Sequence, residues 1–149
     1  MKSDIIIIGG GASGMAAAIC AARQGASVLI LERMPRAGKK LLATGNGKCN
    51  YTNKCYHSQK PSVVKTILHR FDEKAVEDFF MELGILPKEK DGYVYPNSMQ
   101  AASVLDALRF ELERLHVTIL TDTDVQNIKT KGKGFQVISE RETFHCRRL

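Results

Sequence analysis

The chain has 149 residues, 44% of them apolar and 26% charged, and a formal net charge of +6 at pH 7. Those proportions suit one folded domain with its own core and exclude a disordered or collagen-like chain. The positive charge sits early: residues 1–60 hold nine Lys or Arg against two acidic residues, and the remainder holds 13 against 14.

In chain order, Ile5–Ile8 is a β-branched apolar run, the pattern of a strand buried on both faces of a parallel sheet. Helix formers and small residues follow from Ala12 to Gln24, with Gly25 placed to close the helix, and Val28–Leu31 repeats the buried-strand pattern. Strand, glycine turn, helix and strand in about 30 residues make a βαβ unit. A secretion signal is the competing reading of this stretch, because Lys2 precedes an apolar run containing Ala16–Ala18. Asp4 and the glycines at 9, 10, 11 and 14 argue against it and against a membrane span, so a cytoplasmic protein is expected.

After Glu32 comes a long basic loop to Asn53. Pro61–Phe71 and Asp72–Gly84 read as two inserted helices, Asp72 capping the second and Val76, Phe79, Phe80 and Leu83 giving it a buried face. Gly92–Tyr95 reads as a short strand ending at Pro96. A longer helix is expected from Asn97, with Gln100 completing a capping box and Ala101, Val104, Leu105, Leu108, Leu112 and Leu115 forming one stripe. Val117–Leu120, Val125–Lys129, Phe135–Ser139 and Glu142–Cys146 are strand-like, with a turn at 131–134. The expected fold is α/β, Rossmann-like, with a parallel sheet, inserted helices at about 61–84 and the start of a β-meander.

Gly9-x-Gly11-x-x-Gly14 matches the dinucleotide fingerprint, and each glycine has its own task. Gly9 permits the sharp turn, Gly11 lets the backbone approach a pyrophosphate, and Gly14 lets the helix lie against the strands. The helix beginning at Ala12 leaves its first amides without internal partners and favours negative charge there, and Ser13 adds a hydroxyl. Glu32 ends the second strand 18 residues after Gly14, placed to accept hydrogen bonds from ribose hydroxyls. Its carboxylate repels a 2′-phosphate, an effect that the neighbouring Arg33 weakens. A P-loop is excluded, because neither Lys40 nor Lys48 lies in its motif.

The basic segment has two readings: a solvated loop, or one that brings Lys40 or Lys48 to a phosphate while Gly45 and Gly47 expose backbone donors. Cys20, Cys49, Cys55 and Cys146 lack zinc spacing and are expected as free thiols, so no metal is expected. His57, His69, His116 and His145 have no paired acid or nucleophile in the sequence, and no side chain is singled out as catalytic. Without interleaved aromatic repeats or a helix-turn-helix pattern, nucleic acid ranks below a nucleotide as partner.

With Gly9–Met15, Glu32 and "GKKLLATGNGKCNYTN" at Gly38–Asn53, the chain resembles the BaiN-type, or aminoacetone oxidase-like, bacterial NAD(P)/FAD-dependent oxidoreductases. That family's loop reads G-R-K, then a serine or threonine, then G-G-G-R-C-N-x-T-N. Here Lys39, Asn46 and Lys48 stand for Arg, Gly and Arg, which keeps the charge but replaces an Arg fork by a Lys point charge. The resemblance implies bound FAD, with NAD(P)H as the electron donor and a small molecule as substrate, neither nucleic acid nor membrane as partner, and an oligomeric state left open. It implies that Gly9, Gly11 and Gly14 meet the pyrophosphate, that Glu32 holds the adenosine ribose, and that Lys40, Gly45, Gly47, Asn50 and Thr52 approach the cofactor; Ala12 and Ser13 at the helix start and Arg33 beside Glu32 join them as cofactor-binding candidates by position. It extends through the "YPNSMQAASVLDAL" and "VTILTDTDVQNI" stretches and implies an N-terminal piece of a longer flavoprotein. A dinucleotide-binding module without turnover and a nicotinamide-dependent dehydrogenase domain are the alternatives.

Overall fold

The computed structural model describes residues 1–54 and 62–149. In chain order its elements are β1 (Lys2–Ile8), α1 (Ala12–Arg23), β2 (Val28–Leu31), β3 (Thr52–Asn53), α2 (Ser62–Arg70), α3 (Glu73–Glu82), β4 (Pro87–Lys90), β5 (Tyr93–Pro96), α4 (Ala101–Arg114), β6 (Thr118–Leu120), β7 (Val125–Lys131), β8 (Gly134–Ser139) and β9 (Thr143–Arg148). They form two compact units: Met1–Lys40 with Leu108–Leu149, and Leu41–Ala107, within which the expected helical insertion lies.

The first unit holds a six-stranded sheet in the order β6-β2-β1-β9-β8-β7. Strands β6, β2, β1 and β9 run parallel, with Ile5–Ile8 of β1 against Val28–Leu31 of β2. The β7-β8-β9 hairpins are antiparallel, so β9 both ends the meander and returns the chain to the parallel sheet beside β1. Every residue of β2 is buried, as its four apolar side chains require. Strand β1 differs from expectation: it starts three residues earlier, and only Ile6 is fully buried while Ile8 is 45% exposed. The core side of the sheet joins Ile6, Leu29 and Leu31 to Val137, Phe144 and Cys146.

Helix α1 ends as expected, with Gly25 in the left-handed region at φ 84°. It is tied to the end of α4 by a bond that composition does not reveal: Glu111, buried, accepts from Arg23 Nε at 2.9 Å and from Arg114 Nε at 2.7 Å. Those guanidinium bonds, Arg114's foremost, hold the Glu111 carboxyl down to about 2 against the opposing effect of burial.

The second unit holds an antiparallel sheet in the order β3-β5-β4. Asp91 and Gly92 join β4 to β5 with φ of 53° and 80°, the paired left-handed turn of a tight hairpin. Strand β4 was not among the expected elements, although Asp-Gly is a strong short-range hairpin signal. Asp72 caps α3 by accepting from the Ala75 amide at 2.8 Å, as expected. The apolar face of that helix is half-buried rather than buried. Pro61, with Cys55 and His57, lies outside the described residues.

Two expectations are corrected here. Residues Lys39–Gly47 are not simple loop but tight helical turns broken at Thr44, Gly45 and Asn46. Helix α4 begins at Ala101, not Asn97: Met99 takes φ 55°, which no helix admits, and the Asn97 amide donates to Leu86 O instead. No capping box forms, and Ser98 Oγ serves the Gln100 amide. The stripe is real, with Ala101, Val104, Leu105, Leu108 and Leu112 buried and Leu115 half-buried.

Candidate functional site

The turn between β1 and α1 is built from its glycines. Gly9 has φ 104°, which a side chain rarely permits, and its amide donates to Leu31 O at 2.8 Å, binding the turn to the end of β2. A Cβ on Gly14 would run into the Gly9 carbonyl oxygen and lie 3.3 Å from Ile7 Cγ2, so this glycine lets α1 rest on the strand. Gly11 is the opposite case: an added Cβ meets nothing within 4 Å. Beside it α1 opens with no capping side chain, while Ala12 and Ser13 are exposed. The helix therefore presents its first amides and the positive end of its dipole to open space.

Glu32 is fixed before any ligand arrives. Its Oε2 accepts from the Gly10 amide at 2.6 Å and its Oε1 from the Met34 amide at 2.8 Å. A carboxylate has about four lone-pair positions, so two backbone donors leave room for two hydroxyls. Gly10 was not expected to matter, yet its α-carbon faces Ala37 Cβ and Glu32, which an added Cβ would approach to 2.8 and 3.3 Å. Its carbonyl accepts from the Gly38 amide at 2.7 Å, and Arg109 secures Ala37 O at 2.9 Å. The middle glycine of the run Gly9-Gly10-Gly11 was the signal for this close approach.

The first unit thus brings Gly9, Gly11, Ala12, Ser13, Gly14 and Glu32 together, with Arg33 exposed next to Glu32 and Lys40 exposed at the unit's edge. A cavity of about 420 Å³ opens at the carboxyl ends of β2 and β6, lined by Arg33, Leu120, Thr121 and Asp122 among others.

In the second unit, Gly45 (φ 54°) presses on the Asn50 amide, 2.7 Å from where its Cβ would stand, and on the Tyr95 ring. Gly47 (φ 80°) is open, with only Leu42 O at 3.9 Å. Thr52 pairs with Val94 in the small sheet. Cys49 is buried at φ 58°, and burial pushes its thiol up, keeping it protonated and unreactive at neutral pH. Tyr51 meets Phe80 in a tilted ring contact at 4.7 Å, and its hydroxyl, pushed up to about 12 by burial and then by Glu77 and Cys49, is a neutral phenol.

Cys20, Cys49 and Cys146 are free thiols. Among the described residues there is no cluster of three metal-ligating side chains, and no helix is long and apolar enough to cross a membrane.

Comparison with known proteins bears on the family and the fold. The family model described as HI0933-like protein Rossmann domain matches residues 3–149. A 3-dehydro-bile acid delta(4,6)-reductase of Clostridium scindens is 45% identical over 96% of this chain, and an Escherichia coli ribosomal RNA dihydrouridine synthase is 32% identical over 99%. The chain spans 37% and 38% of their lengths. A 3-ketosteroid-delta4-(5alpha)-dehydrogenase from Rhodococcus jostii shares the fold, with a TM-score of 0.66 and 19% identity over 99% of this chain and 44% of that one.

Proposed function

The chain belongs to the HI0933-like Rossmann family of flavoproteins, and from that premise we propose that it holds FAD for an enzyme that reduces a carbon–carbon double bond conjugated to a carbonyl. When bound, the flavin supplies two-electron hydride chemistry. The residues fit the cofactor: the open space at Gly11 before an uncapped helix is what a diphosphate needs, and this single observation carries the reading. The amides of Ala12, Ser13 and Gly14 hold the diphosphate, Glu32 holds the adenosine ribose from a position set by Gly10 and Met34, and Arg33 flanks the adenosine. Lys40, Gly45, Gly47, Asn50 and Thr52 are assigned to the rest of the cofactor, as the family loop suggests.

The reaction class rests on chemistry shared by two relatives. A delta(4,6)-reductase and a dihydrouridine synthase both add two hydrogens across a ring double bond. A hydride can enter such a bond when a conjugated carbonyl accepts the charge, and that requirement is common to a steroid enone and a uracil ring. NAD(P)H is the assigned electron donor. The test is anaerobic incubation of the full-length flavoprotein with NADH or NADPH and a panel of cyclic enones. A product two mass units heavier with loss of the enone absorbance supports the proposal. Nicotinamide oxidation only with disulfide or oxygen as acceptor contradicts it.

A further inference from the structure

We propose that helix α2 docks on the surface of an anionic lipid bilayer, with its apolar side against the acyl boundary. Phe71 lies four residues after Ile67 and three after Leu68, and its amide donates to Ile67 O at 2.9 Å, so the helical path continues and the three side chains share one face. All three are exposed: Ile67 by 59%, Phe71 by 52% and Leu68 by 37%. Leu68 and Phe71 border a cavity of about 260 Å³, shared with Val76 of α3 and Thr52 of β3, instead of being covered. Helical spacing puts Arg70 on the flank of this face and His69 behind it, and both are exposed. The charge of this stretch has one sign: residues 41–71 hold five Lys or Arg and two His and no acidic residue. Of these, Lys54 is engaged by Glu77 and Glu89, at 3.6 and 3.0 Å. The acids next in sequence are Asp72, held as the cap of α3 by the Ala75 amide, and the exposed Glu73.

A helix with large apolar side chains on one side, basic ones beside them and no acid of its own lies in the headgroup layer instead of crossing it. Arg70 can run its methylene stem along the apolar face and leave the guanidinium at a lipid phosphate. A partner protein fits less well, since three side chains fall far short of the about 800 Å² per partner that a stable complex covers, whereas a bilayer sets no fixed area. The expectation of no membrane partner came from the family resemblance and from the lack of a spanning run, and an interfacial helix needs no such run. The sequence hides the surface because both inserted helices read alike as packing elements, and folding leaves the apolar side of α2 exposed.

The inference stands apart from the reductase reading, since its test reads no turnover. The full-length, flavin-loaded protein should sediment with phosphatidylcholine vesicles containing about 30 mol% phosphatidylglycerol and stay in solution with pure phosphatidylcholine vesicles. Raising KCl from about 0.1 M to about 1 M should release most of it, as the Debye length falls from about 10 Å to about 3 Å. The double variant I67E/F71E should bind at least about tenfold more weakly. R70A should lose roughly fivefold, the worth of one basic residue beside an anionic surface. Both should keep the parent's flavin content, and F110E, which alters an exposed apolar residue of α4, should bind like the parent. If I67E/F71E fails to hold flavin, R70A decides alone, and its binding like the parent overturns the proposal. No binding to the anionic vesicles, equal binding to both vesicle types, parental binding by a flavin-loaded I67E/F71E or an equal loss in F110E would each overturn it. So would a dimer of the parent that I67E/F71E dissolves, since the face would then belong to a second copy of the chain.

Discussion

Gly11 and Gly14 sit three residues apart in one motif and fail for opposite reasons when a methyl group is added. At Gly14 the new carbon strikes the Gly9 carbonyl, so Gly14→Ala should lower stability by roughly 1–3 kcal/mol, an overpacking cost. At Gly11 the space is open and φ is −78°, which any residue adopts. Gly11→Val should therefore melt within a degree or two of the parent apoprotein yet purify without flavin. Thermal melts of both apoproteins, with flavin absorbance of both as purified, separate the two effects. Glu32 calls for a gentler probe than alanine, which would also release the Gly10 and Met34 amides. Glu32→Gln keeps one acceptor oxygen but turns an NH2 toward the other amide, so it should cost about 1 kcal/mol in thermal melts and weaken FAD affinity about tenfold, as read by titration of the apoprotein. Unchanged affinity would remove Glu32 from the ribose site.

Elements were legible where their signal was local. The α1 closure at Gly25, the Asp72 cap and the βαβ order follow from residues within a few positions of one another. Asp72→Ala should cost about 1 kcal/mol, measured by denaturant unfolding, because a single amide loses its acceptor. The start of α4 was misread because Asn97 and Gln100 satisfy a local pattern that a more distant bond overrides, the Asn97 amide being engaged by Leu86. Strand β4 was missed because Lys88, Glu89 and Lys90 carry no apolar alternation, and pairing with β5 decides their conformation instead. The dinucleotide motif was readable, whereas the contribution of Gly10 depends on Ala37, a neighbour only after folding.

At the scale of the molecule, long-range ties decide what local reading cannot. Glu111 joins residues 88 positions apart through Arg23, and its carboxyl is held at about 2 instead of 4.5. A depressed carboxylate contributes stability that is fully present above the unfolded value and disappears as pH falls through the folded one. Glu111→Gln should thus cost on the order of 2 kcal/mol at neutral pH, and the gap to the parent should close between about pH 4.5 and pH 2 in urea melts.

The same scale holds the central claim, that an uncapped helix beside a bare α-carbon receives the diphosphate of FAD. Mass spectrometry of the small molecule released by denaturing the natively purified full-length protein, alongside its Gly11→Val variant, addresses it most directly. The account predicts stoichiometric FAD from the parent and none from a variant that remains folded. Release of NAD or of no nucleotide by the parent, or equal FAD from both proteins, would contradict it.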